Sequence, residues 1–198
     1  NLPPIHHLTW DWWWWLVMLD DEGGNPAGKQ LMVLWSTKDN PLVEVNGHPW
    51  KPVGRPGFDE AGGIAMDGMV AAWWYDGYKM IEPLVLEESR IIVVAEEHPD
   101  WPHEKGGVVA SHTEKEYSMG LNPEENEFWL KLDTDHGDFD LKMQPWNNAM
   151  SSMKVAQAEY GLGMGYGISR LHGALCTGEI DGKAVNGSAY FQKVCVQA

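Results

Sequence analysis

The apolar positions of this chain fall into short runs, mostly β-branched or aromatic, and nearly every run ends at Gly, Asn, Asp or Pro. That pattern belongs to strands rather than helices. It predicts strands over 10–19, 30–37, 66–75, 78–87, 90–96, 107–113, 116–121, 127–133, 138–144, 160–171, 172–180 and 183–197. The turns "YDGY" at 75–78, "DHGD" at 135–138 and "IDGK" at 180–183 each place Gly where a tight reversal needs positive φ. Successive strands should therefore pair as antiparallel neighbours. The segment 38–65 is rich in Pro and Gly and reads as a long loop or lid. Only 148–159, "NAMSSMKVAQAE", carries a pattern compatible with a helix. The expected fold is all-β: an antiparallel barrel or barrel-like sandwich with at most one short helix. Closing the sheet removes exposed edges and leaves an interior wide enough for a small ligand.

One strand breaks the usual alternation of apolar and polar residues. In "WDWWWW", 10–15, Trp10, Trp12 and Trp14 share one face, and Asp11, Trp13 and Trp15 share the other. Both faces are aromatic, so both should be covered. Burying one indole removes ~150–250 Å² from water, a gross ~4–6 kcal/mol. Two-sided core packing accounts for this, and the aromatic wall of an apolar ligand cavity is the alternative. The hairpin "AAWWYDGYKM", 71–80, repeats the theme, with Trp73 and Tyr75 on one face and Trp74 on the other.

In "YGLGMGYGI", 160–168, glycine at 161, 163, 165 and 167 leaves one face of a strand without side chains. Glycine weakens a strand interior, so a bare face marks the close approach of a ring, a ligand or another backbone. Aromatic cover from a neighbouring strand is the structural account; a ligand against Gly163 and Gly165 is the functional one. Position 166 is Tyr, which departs from G-x-G-x-x-G and sets dinucleotide binding aside. His172 follows this strand and is placed to face the same space, as a structural histidine or as a proton carrier.

Length and charge narrow the function further. A chain of 198 residues suits one domain with a substantial core. A formal charge of −15, with no basic cluster, excludes a phosphate-backbone partner and fits a soluble protein, cytoplasmic or exported. No apolar run reaches the length of a membrane-spanning helix. The histidines lack metal-ligand spacing, and no metal or cofactor is expected. "DTDHGDFD", 133–140, departs from a calcium loop at Gly137 and Gln144 and reads as a hairpin tip. Two cysteines make no disulfide framework. A turn at Asp181-Gly182 would set Cys176 opposite position 187 and Cys195 opposite about 168. A turn at Asn186-Gly187 would bring the thiols nearer. Asn186 begins an "NGS" sequon that matters only in a secreted protein.

In order along the chain, "WDWWWWLVMLDDEGG", "KQLMVLW", "AAWWYDGYKM", "YGLGMGYGISRLHG" and "GEIDGKAVNGSAYFQKV" resemble the N-terminal part of the AttH and carotenoid 1,2-hydratase (hydroxyneurosporene synthase) family of lipocalin-like proteins. The resemblance implies a calycin-type barrel spanning 1–198, a second lipocalin-like domain in the full-length protein, and an apolar polyene or isoprenoid ligand. It also implies possible chemistry, the hydration or cyclisation of such chains, but carries no family catalytic residue onto a position here. Hydrating an isoprenoid double bond needs a proton donor, support for a tertiary cation, and water. Indole faces support cations, and a carboxyl group in apolar surroundings stays protonated unless a cation compensates. Asp11 and His172 are accordingly the candidate catalytic residues. Trp12, Trp14, Trp73, Tyr75, Gly163, Gly165 and Tyr190 are the candidate ligand-binding ones. A non-catalytic carrier of an apolar ligand and a carbohydrate-binding β-sandwich are the competing readings.

Overall fold

The computed structural model describes residues 8–37, 44–45, 47–49, 57–58, 63–94, 107–111, 113–122, 124–147, 150–155 and 165–197. Its strands are β1 (Leu8–Leu19), β2 (Lys29–Thr37), β3 (Glu44–Val45), β4 (His48–Pro49), β5 (Gly57–Phe58), β6 (Ile64–Tyr75) and β7 (Met80–Val94). They continue as β8 (Gly107–Ser111), β9 (Tyr117–Asn122), β10 (Glu127–Thr134), β11 (Gly137–Pro145), β12 (Met150–Val155), β13 (Gly165–Ile180) and β14 (Lys183–Gln197). The sheet runs β11-β10-β9-β8-β7-β6-β2-β1-β14-β13, and a further β11–β13 ladder closes it. Every pairing in this ten-stranded ring is antiparallel, and no helix occurs among the described residues. This is a calycin, or lipocalin-like, barrel. β12 pairs the first half of β13, and β5 pairs the start of β6.

The turn chemistry set most of this in place. Asp181, at φ 52°, and Gly182, at φ 70°, close the β13–β14 hairpin and fix its register. Cys176 therefore faces Gly187, and Cys195 faces Gly167, so the two thiols are far out of register. Cys176 is fully buried, and burial alone pushes its thiol up to about 12. It acts as a small apolar side chain.

Among the described residues, two expected strand breaks and one expected helix are absent. The strands predicted at 78–87 and 90–96 are one strand, β7, because Glu87 and Ser89 do not end it but point inward. The described part of the strand predicted at 160–171 and the one predicted at 172–180 are likewise one strand, β13, with an irregular step between Leu171 and Ala174 that takes up His172 and Gly173; 160–164 lie outside the described residues. In the described part of the helix expected over 148–159, Met150–Val155 is instead strand β12. Its backbone gains a full ladder with β13, which outweighs a weak local helix pattern. Of the 38–65 lid, only short pieces lie within the described residues, including the β3–β4 ladder and β5.

The barrel interior is aromatic. Trp13, Trp15 and Trp35 have no exposed surface, and Trp74 is 5% exposed. Trp15 packs against Phe191 and Phe128 at ring-centroid distances of 4.8 and 5.4 Å, and Trp74 meets Phe139 edge-on at 5.2 Å. β11 obeys simple alternation, with Phe139, Leu141 and Met143 in and Asp138, Asp140 and Lys142 out; β10 follows it from Leu130 to Asp133, whereas its outward Trp129 is also buried, against Ile92 and Val109. β1 does not alternate in this way. Its inward residues Asp11, Trp13, Trp15, Val17 and Leu19 are wholly buried, and its outward Trp12, Trp14, Leu16 and Met18 are half-buried.

Candidate ligand site

Strand register stacks the interior into rows. One row runs Ser89, Gly68, Thr37, Asp11, Cys195, Gly167 across β7, β6, β2, β1, β14 and β13. The next runs Glu87, Val70, Trp35, Trp13, Lys193, Ser169 across the same strands. The third, Val85, Ala72, Val33, Trp15, Phe191, Leu171, is apolar throughout. Ser89, Thr37, Asp11, Glu87 and Lys193 thus bring polar chemistry into two rows beside Trp13, Trp35 and Val70, and hydrocarbon fills the next.

At the centre of the polar rows, Lys193 forms an ion pair with Asp11. The lysine is 4% exposed and the aspartate 0%. Both charges have left water, a loss that only close pairing offsets. The ammonium also lies 4.0 Å from the Trp13 ring centroid and donates to the Val194 carbonyl oxygen at 3.3 Å. Beside it, Trp35 Nε1 donates to the Tyr117 carbonyl oxygen at 3.1 Å, and the Tyr117 hydroxyl donates to Glu87 Oε1 at 2.8 Å. Burial first, and then the Glu87 carboxylate, push the Tyr117 phenol well above its ordinary value, so it remains a donor. Four further groups, Trp13 Nε1, Trp15 Nε1, Thr37 Oγ1 and Ser89 Oγ, are buried without a hydrogen-bond partner among the described residues. Each unmade bond costs about 1–3 kcal/mol. All four belong to inward positions of the rows, three of them within the two polar rows.

On one side of these rows the described residues carry little or no side chain. Gly165 and Gly167 continue the inward face of β13 in register with Gln197 and Cys195, followed by Ser169 opposite Lys193. Gly167 and Ser169 are half-buried, whereas Trp13 and Asp11 across the row are sealed. The wall nearest Lys193 therefore carries nothing larger than a hydroxymethyl group at these two positions. Gly163 lies outside the described residues.

The residues singled out from sequence do not form one site. Asp11 lies inside the barrel, whereas His172 is exposed on the outer face of β13. Trp14, Tyr190 and His172 come together there: Trp14 and Tyr190 meet edge-on at 5.6 Å, and Tyr190 and His172 lie 6.4 Å apart. Tyr190, Leu16, Met32 and Trp73 form one outer row across β14, β1, β2 and β6. Trp12 and Tyr75 are outward and half-buried, and the Tyr75 hydroxyl donates to the Gly77 carbonyl oxygen at 3.0 Å.

Sequence reasoning missed Lys193, Glu87, Thr37, Ser89 and Tyr117. A usable signal existed in β14, where Lys193 shares the phase of Ala189 and Phe191, a cation on the apolar side of a strand. The same holds in β7, where Glu87 and Ser89 share the phase of Val85 and Ile91. Among the described residues, no group of three or more His, Cys, Asp or Glu could hold a metal ion. None of their helices is long and apolar enough to cross a membrane.

Barrel topology and the inward ion pair define a lipocalin-like barrel with a polar-ended interior. A crystal structure from Nitrosomonas europaea described as an AttH is similar in fold, with a TM-score of 0.55 at 10% identity, covering 98% of this chain and 53% of that one. CghA, solved with Sch210972, covers 100% of this chain and 50% of its own at 12% identity, but its TM-score of 0.43 adds nothing to the fold assignment. The chain thus spans about half the length of these structures. No protein-family profile and no curated protein matches it.

Proposed function

We propose that this chain is a lipocalin-like binding domain for an apolar polyene or isoprenoid that carries a polar end. The observation supporting this reading is the layered interior: two rows with an ion pair and unpaired donors, stacked on a row of hydrocarbon and aromatic rings. A ligand with the same division would place its oxygen among the donors and its chain against the apolar rows. A second lipocalin-like domain as partner belongs to the same proposal.

Tryptophan fluorescence tests it directly, because Trp13, Trp15 and Trp35 line the rows. Polyenes with a terminal oxygen should quench the buried indoles saturably. Quenching by oligosaccharides alone would replace this reading with a sugar-binding one, acting through the outer indoles Trp12, Trp14 and Trp73.

Carotenoid-hydratase chemistry is the second reading, favoured by the position of Asp11 on the same inner face as Trp13 and Trp15. The indole faces would support a tertiary cation, and the carboxyl group would move the proton. Lys193 supplies the compensating cation, so Asp11 would act as donor only after accepting a proton from the ammonium. Under this reading Asp11→Asn binds ligand and loses turnover. Unchanged turnover per folded molecule would exclude it.

A further inference from the structure

Lys193 is an amine inside an aromatic barrel, and the binding reading gives it no work beyond pairing. Its surroundings match what a covalent imine needs. The carboxylate of Asp11 touches the ammonium, the Trp13 ring face lies 4.0 Å away, and the neighbouring wall is Gly167 and Ser169. A protonated imine carries the same charge as the ammonium it replaces. The site that now holds Lys193 would hold the iminium with the same counter-ion and the same cation–π face.

We propose that Lys193 captures an isoprenoid or polyene aldehyde as a protonated Schiff base with Asp11 as counter-ion, an inference that rests on the apolar-ligand reading above. In the balanced step, the ammonium passes a proton to Asp11, and the freed amine lone pair forms a bond to the aldehyde carbon. The carbonyl π pair moves to oxygen, which takes a proton from the newly bonded nitrogen to give a carbinolamine. That oxygen takes its second proton from the Asp11 carboxyl and leaves as water as the C=N bond forms, so Asp11 ends as a carboxylate beside the iminium. Ammonium and aldehyde give iminium and water, with no oxidant, reductant or change in net charge. The hydroxyls of Thr37 and Ser89, in the row of Asp11 and without a partner among the described residues, are donors of the kind that would serve the departing oxygen. Gly167 and Ser169 are small, and theirs is the side on which a chain can approach without displacing one of the described indoles.

The test uses the whole chain with all-trans-retinal as probe aldehyde, cyanoborohydride as trap, and peptide mass mapping as readout. The expected result is a single reduced adduct on Lys193, and before reduction an absorbance shifted to longer wavelength than that of the free aldehyde. Lys193→Arg keeps a cation for Asp11 but cannot form an imine, so it should fold and lose the adduct. Asp11→Asn removes the counter-ion that holds the iminium proton, so the imine should lose that proton and absorb at shorter wavelength. Labelling spread over surface lysines and unchanged in Lys193→Arg would overturn the proposal, as would failure of the folded protein to form any adduct. All-trans-retinol, which binds but cannot condense, separates the two levels. Quenching by retinol without trapping of retinal sinks the Schiff base alone, whereas no quenching by either sinks the binding reading as well.

Discussion

Replacing Lys193 with methionine is expected to destabilise the barrel by about 3–5 kcal/mol, measured as a fall in the midpoint of urea unfolding at neutral pH. The reason is not the lost attraction alone. Asp11 has no exposed surface, and without Lys193 its carboxylate stays in the interior with no cation and no hydrogen-bond donor among the described residues. Removing both charges together has a different consequence. Asp11→Leu with Lys193→Met replaces two desolvated ions by hydrocarbon among Trp13, Trp35 and Phe191, and should recover most of the stability lost in the single variant. A Lys193→Met protein that unfolds at the parental midpoint would show that the pair is not formed inside the barrel. A double variant no more stable than the single would place the cost in packing rather than in charge.

The same pair shows where the sequence was legible and where it was not. Alternation along "WDWWWW" is a local property, so the division of Asp11, Trp13 and Trp15 from Trp12 and Trp14 could be read directly. The Asp181-Gly182 turn is also local, and it correctly offset Cys176 from Cys195. What alternation does not reveal is which face looks inward when both are aromatic. That choice is made by β2 and β14, whose Val33, Trp35, Ala189 and Phe191 carry the apolar phase opposite Trp13, Trp15 and Val17. The partner of Asp11 depends on the pairing of the first strand with the last, a contact no local pattern encodes. His172, expected to face the same space as the glycines, does not: alternation through Gly167, Ser169 and the buried Leu171 already puts the imidazole on the outer face, next to Tyr190. The glycine strand was half legible: alternation put Gly165 and Gly167 on one face, and the β13–β14 hairpin register sets Gly167 opposite Cys195 and Ser169 opposite Lys193.

Closure itself rests on a glycine, which makes Gly178→Ala the second large-effect substitution. Gly178 pairs Leu141 in the β11–β13 ladder that turns the sheet into a ring. Its φ is 144°, and a Cβ there would overlap the Asp140 carbonyl oxygen and stand 2.9 Å from Leu141 Cα. Both obstacles are backbone, so no side-chain rotation relieves them, and the strands must separate at the seam. Strained backbone costs about 1–3 kcal/mol and overpacking a similar amount, giving an expected loss of about 2–6 kcal/mol in unfolding free energy. Gly182 is the control: its φ of 70° is also left-handed, but a Cβ there meets nothing within 4 Å. Gly182→Asn, a residue that tolerates this conformation, should leave the midpoint almost unchanged. Equal effects at the two positions would mean that backbone strain alone is being measured. A Gly178→Ala protein as stable as the parent would mean that the β11–β13 seam is not as tight as this register requires.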